Sequence, residues 1–178
     1  SDLMVEEGLT IVKGLRARHD GIRRNPWNEM ECGSHYARSL ASWGLLTALS
    51  GFTFDLTQGI IGFAPRLAYD PFRCFWSVEG AWGTVSLAGG GVHHADTERA
   101  GRPGKQGYAA GGVRAVREVR LRVVYGALEL RRLDVPLAAG AVQAQVGRRA
   151  AAVERTGTGV ALPAGVRLQA GEDLVVST

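Results

Sequence analysis

Between Ser34 and Ser50 the chain carries Tyr36, Leu40, Trp43, Leu45, Leu46 and Leu49, spaced by Ala37, Ala41, Gly44 and Ala48. At helical period these residues surround the cylinder, so no face is left for water, and a helix of this kind is enclosed by neighbours. The small residues let other helices come close. Gly33 and Ser34 supply a flexible entry and an N-cap, and Gly51 supplies the stop. The uncharged run Ser39–Phe54 contains Ser, Thr and Gly and is shorter than a membrane-spanning helix, which predicts a soluble, cytoplasmic protein with no membrane span. Residues 2–19 form the one visible partner helix. Asp2 is placed to cap it, Glu6 and Glu7 lie near its positive end, and Arg16 and Arg18 near its negative end. Met4, Gly8, Ile11 and Leu15 recur on one stripe, with Val5, Leu9 and Val12 beside them. One helix cannot cover the surface of the second. The expectation is that its cover lies outside this chain or in another copy of it, as in a homo-oligomer.

The polar residues that lead into this apolar helix are the candidate site. Asn25-Pro26 breaks the helical pattern, and Trp27 to Gly33 reads as a loop carrying Glu29 and Glu31. His35 and Arg38 then share a helical face at i, i+3. A guanidinium in so apolar a helix needs an anionic or polyhydroxylated partner. Arg38, Glu31, Glu29, His35 and Trp27 are therefore the candidate ligand-binding residues, Trp27 as a stacking platform. The structural alternative keeps the same residues for folding. A glutamate then caps the helix or pairs with Arg38, His35 satisfies a backbone group, and Trp27 staples the helix start.

After Phe54 the period changes. Residues 59–65 are a short extended apolar stretch, and 72–77 and 81–87 read as strands, with Trp76 and Trp82 expected in the core. Residues 88–112 are dense in glycine and polar groups and are expected to be a long loop. Val119, Leu121, Val123 and Tyr125 alternate with Glu118, Arg120 and Arg122, a half-buried strand with an arginine ladder on its wet face. Gly126 is read as a turn into Leu128–Leu130, and the Arg131-Arg132 doublet as a bulge. Short strands are expected over 141–146, 150–155, 166–169 and 174–176, punctuated by Gly157, Gly159, Pro163, Gly165 and Gly171. Closely spaced strands with glycine and proline turns indicate an antiparallel β-sandwich.

The stretch from Asn25 to Leu46, with its Asn-Pro-Trp-Asn-Glu-Met-Glu-Cys-Gly-Ser-His-Tyr-Ala-Arg run, resembles the closing part of the catalytic domain of glycoside hydrolase family 116. That family contains β-glucosidases and non-lysosomal glucosylceramidases. The resemblance covers about residues 15–65 and fades in the β part, where Phe72–Trp76 and Trp82-Gly83 are similar to segments that follow the barrel in bacterial relatives. It implies an α+β chain: an N-terminal helical pair, the end of an (α/α)6-type barrel, in residues 1–66, then an antiparallel β-sandwich in 67–178. It also implies a C-terminal portion of a longer enzyme, whose partners are the remainder of the barrel and a β-glucoside substrate. Family members cleave with retention through two carboxylates from earlier barrel segments. No acidic residue of this chain matches either role, so no catalytic residue is assigned and the isolated chain is expected to be inactive. The motif places glucose recognition here, with Arg38 as the arginine near the sugar hydroxyls and Glu31 or Glu29 as the acid.

Composition narrows the rivals. The net charge of +4 is carried almost wholly by arginine, with Lys13 and Lys105 as the lysines. Arginine-, alanine- and glycine-rich usage fits a GC-rich bacterial genome. A nucleic-acid role for Arg117, Arg120 and Arg122 lacks interleaved exposed aromatics and ranks lowest, so no nucleic-acid partner is expected. Cys32 and Cys74 do not make a disulfide framework. Cys32 lacks a base partner other than His35, and His93-His94 is weak as a metal pair, so no metal or cofactor is expected. The remaining rival is a non-catalytic β-sandwich module that binds carbohydrate or a partner protein, with a sugar across Trp76 or Trp82.

Overall fold

The computed structural model describes residues 4–22, 40–67, 69–89 and 115–178. Within them the protein is α+β, with two helices followed by a large multi-strand sheet. Helix α1 is Val5–Arg16 and helix α2 is Leu40–Ser50. The strands are β1 Thr53–Asp55, β2 Ile60–Gly62, β3 Phe72–Val78, β4 Ala81–Ala88, β5 Glu118–Asp134, β6 Gln143–Val146, β7 Arg149–Ala151, β8 Glu154–Arg155, β9 Gly159–Gln169 and β10 Asp173–Ser177.

Strand β5 is the spine. Its first half pairs antiparallel with β4 on one edge, from Ala88↔Glu118 to Ala81↔Gly126, and with β10 on the other, from Ser177↔Glu118 to Asp173↔Arg122. β3 extends this region beyond β4, and β6 and β7 extend it beyond β10. The second half of β5 pairs antiparallel with β9 and parallel with β2, and β8 and β1 lie outside them. Strands β9 and β10 thus run in one direction along the whole of β5. Both partners bend at the same level, at Gly126 with φ 79° and Gly171 with φ 90°. The Ala170 amide donates to the Gly126 carbonyl at 3.0 Å and the Gly171 amide to that of Val123 at 2.8 Å, which closes the corner. Gly126 is therefore a bend inside one continuous strand, which corrects the expected turn. A side chain there would collide with the Gly80 carbonyl.

The alternation on β5 follows from this geometry. Val119, Leu121 and Val123 point inward before the bend, and Leu128, Leu130 and Leu133 after it, while Val124 and Tyr125 both face solvent where the phase slips. The expected bulge at Arg131-Arg132 is present as a register shift between Leu130 and Arg132. Opposite it, residues 162–165 leave the ladder, so Pro163 and Gly165 sit inside β9 without ending it. The single core joins both halves of the sheet through Ile61, Phe63, Trp76, Leu121, Leu133 and Leu168, among others. Trp76 is 1% exposed, in agreement with its expected core position, whereas Trp82 is 38% exposed and faces outward. The reason is visible in β4. Ala81, Val85 and Leu87 point inward, so the period of two sends Trp82, Thr84 and Ser86 to the other face.

Candidate functional site

The candidate site residues Trp27, Glu29, Glu31, His35 and Arg38 lie outside the described residues, as do Cys32, His93, His94 and most of the expected long loop. Asp2 lies outside them too, and the N-cap position of α1 falls to Met4, which makes no side-chain capping bond. What is described is what flanks the candidate site residues in the sequence: α1 before, α2 after, and the sheet to which α2 is tied.

Helix α2 is anchored at its C-terminal end. The Leu49 carbonyl accepts from the Arg66 amide at 2.8 Å and the Ser50 carbonyl from the Ala64 amide at 3.1 Å. Ser50 is buried, and its hydroxyl donates to the Thr47 carbonyl at 3.3 Å. Phe52 stacks on Phe63 with centroids 5.2 Å apart, which fixes the exit of the chain into β1. Burial pushes the thiol of Cys74, on β3 next to this anchor, up to about 11, with the Ser50 hydroxyl pulling weakly the other way.

Away from the anchor, apolar surface is uncovered. No residue of α1 is buried, and Ile11 is 72% exposed. Met4 and Leu15 are also exposed, as is Trp43 on the helix whose sequence leaves no polar face. Fully burying a Leu, Ile or Met side chain is worth about 1.5–3 kcal/mol, so Met4, Ile11 and Leu15 together forgo on the order of 5 kcal/mol. A helix this short is marginal in water without tertiary packing. Between the helices lies a cleft of about 260 Å³ lined by Met4, Val5, Leu9, Leu45, Leu49 and Arg66.

The uncovered surface continues across the sheet as a row of rings. Trp43 meets Phe75 edge-on at 5.6 Å, Phe75 lies 5.7 Å from Trp82, and Trp82 lies 6.3 Å from Tyr125 at 16° between planes. Tyr125 is exposed like Trp82. Next to the row stands the arginine ladder, which is already engaged. Arg120 reaches Asp173 at 3.1 Å and Glu118 at 3.5 Å, and Arg122 approaches Asp173 at 3.8 Å.

Chemically, this surface can exclude water from a partner and supply flat aromatic faces. Among the described residues there is no cluster of metal-ligating side chains and no helix long and apolar enough to cross a membrane. The outward face of Trp82 follows from the β4 alternation, whereas Tyr125, expected inward with Val119, Leu121 and Val123, is turned out because the phase of β5 slips at Val124. No protein-family model matches the chain, and no curated protein matches its sequence.

Proposed function

We propose that α1 and α2 are closing helices of a larger barrel of the glycoside hydrolase family 116 type, and that the bent sheet is a β-sandwich appended to it. The observation that supports this reading is the uncovered apolar surface of the two helices. In the complete enzyme, a retaining β-glucosidase or glucosylceramidase, the loop before α2 faces the glucose pocket. Arg38 and Glu31 or Glu29 hold the sugar hydroxyls, His35 and Trp27 line the pocket, and the catalytic carboxylates come from the rest of the barrel. The isolated chain supplies binding groups and no turnover. A cytoplasmic location belongs to the same proposal.

The test is genetic and then enzymatic. An in-frame upstream coding region with two barrel carboxylates supports the reading, and a stop codon immediately upstream overturns it. In the complete protein, Arg38→Ala lowers kcat/KM for an aryl β-glucoside roughly ten- to a hundredfold, as loss of a charged hydrogen bond requires. Turnover by the 178-residue chain alone would contradict the assignment.

A second reading, a non-catalytic β-module for carbohydrate or a partner protein, is favoured by the exposed Trp82–Tyr125 pair. Its platform is Trp82 and not Trp76, which is enclosed. A saccharide that quenches Trp82 emission in the isolated chain, and does nothing to a Trp82→Phe variant, supports it.

A further inference from the structure

A second cleft opens beside the C-terminal end of α2, among β1, β2, the end of β5 and the β8–β9 connection. Its volume is about 460 Å³, within the range of about 300–1,000 Å³ typical of small-molecule sites. Three threonines, Thr53, Thr156 and Thr158, line it together with Asp134 and Arg155, and Val135, Pro136 and Leu137 add an apolar wall. Glycines let the backbones that form its walls approach closely. A Cβ at Gly51 would strike the Ala64 carbonyl, and one at Gly159 the Leu133 carbonyl.

The polar groups are held in place. Asp134 accepts from Arg132 Nε at 3.2 Å and Nη2 at 3.1 Å on one oxygen, and from the Thr158 hydroxyl at 2.6 Å on the other. Arg155 donates through Nε to the Gly140 carbonyl at 3.2 Å and through Nη2 to that of Ala138 at 2.6 Å. Its fork is thereby fixed by the loop after β5, and among the described residues it has no carboxylate partner. Asp134 still offers acceptor lone pairs to the cleft, and Arg155 and the threonines offer donors, so a ligand dense in hydroxyls engages both, because each hydroxyl donates and accepts.

We infer that this cleft binds one neutral sugar or cyclic polyol unit, its hydroxyls accepting from Arg155 and the threonines and donating to Asp134, its C–H face against Pro136 and Leu137. The inference goes beyond the second reading, whose platform is Trp82, by placing a separate site elsewhere on the sheet, and it does not depend on the barrel proposal.

The test is an amide NMR titration of the 178-residue chain with glucose, galactose and myo-inositol, and with inorganic phosphate as the anionic probe. The expected result is saturable shifts at Thr53, Asp134 and Thr156–Gly159 with at least one neutral ligand. Arg155→Gln and Thr156→Val then weaken binding by about tenfold, the loss of one hydrogen bond to a fixed group. Both variants are first checked for unchanged thermal melting, and Arg167→Gln, which only breaks an exposed pair with Glu129, leaves affinity unchanged. No saturable shift with any neutral ligand, or shifts with phosphate alone, overturns the inference. Shifts confined to Trp82 and Tyr125 overturn it too, while leaving the second reading standing.

Discussion

Cys74 lies where β3 passes the end of α2, and burial raises its thiol from about 9 to about 11. The folded state thus favours the neutral form. A group with a raised folded pKa stabilises fully below its unfolded value and loses that contribution as pH climbs. Urea midpoints should therefore fall between pH 9 and 11 more steeply for the wild type than for Cys74→Ala. Iodoacetamide at neutral pH should leave Cys74 unmodified until the protein unfolds, since the thiolate is the reactive form. Parallel curves, or rapid alkylation located at Cys74 in the folded protein by peptide mapping, would show the thiol to be exposed. The two tryptophans on neighbouring strands make a second residue-scale comparison. Trp76→Ala should cost about 3–5 kcal/mol, the usual loss for a large buried aromatic. Trp82→Ala forfeits chiefly ring contacts with Phe75 and Tyr125, about 0.5–1.5 kcal/mol each, and should cost about 1–3 kcal/mol. Paired chemical-denaturation curves decide between this order and its reverse.

At the scale of elements, the bent ribbon of β5 with β9 and β10 is the device that lets one strand serve both halves of the sheet. Gly126→Ala tests it. A non-glycine residue at this φ costs on the order of 1–3 kcal/mol of backbone strain, and the collision with the Gly80 carbonyl adds a similar overpacking cost. Gly80→Ala meets open space but carries its own positive φ of 77°, so only the strain applies there. Gly126→Ala should be the more destabilising of the two in a urea titration. This ribbon also marks where the sequence was legible. Arginines alternating with Val119, Leu121 and Val123 announced the first half of β5, because period two along a half-buried strand leaves no other placement for charges. The Arg131-Arg132 doublet announced the bulge for the same reason. Gly126 and Gly171 did not announce the bend, because glycine at positive φ serves a reversal and a corner equally well. Pro163 and Gly165 misled as strand breakers, because a bulge opposite Arg131 absorbs them. The second cleft was not legible either. Its residues come from segments about a hundred positions apart, and only the parallel pairing of β2 with the end of β5 brings Thr53 to Asp134 and Thr158.

For the whole molecule, the question is what the apolar helices do with Met4, Ile11, Leu15 and Trp43, which the described chain leaves exposed. Exposed apolar surface of this extent promotes association, so the isolated chain should bind a hydrophobic dye and grow in apparent mass with concentration. Ile11→Glu and Leu15→Glu place charges on the uncovered stripe of α1. Neither side chain is buried, so both substitutions should suppress association while leaving thermal melting within a few degrees of the wild type, as for surface changes of about 0.5 kcal/mol. In a complete barrel the same positions would lie between helices, and an unpaired buried carboxylate there would cost several kcal/mol. The two contexts therefore give opposite signs for one pair of mutations: harmless or solubilising in the short chain, disabling in the long one. Light scattering on the first and soluble yield with β-glucosidase activity on the second read out the contrast. If the substitutions are neutral in the long protein as well, α1 is a solvent-facing helix and the barrel reading fails. If they unfold the short chain, then α1 is already enclosed within it, and the surface that carries the proposal does not exist in solution.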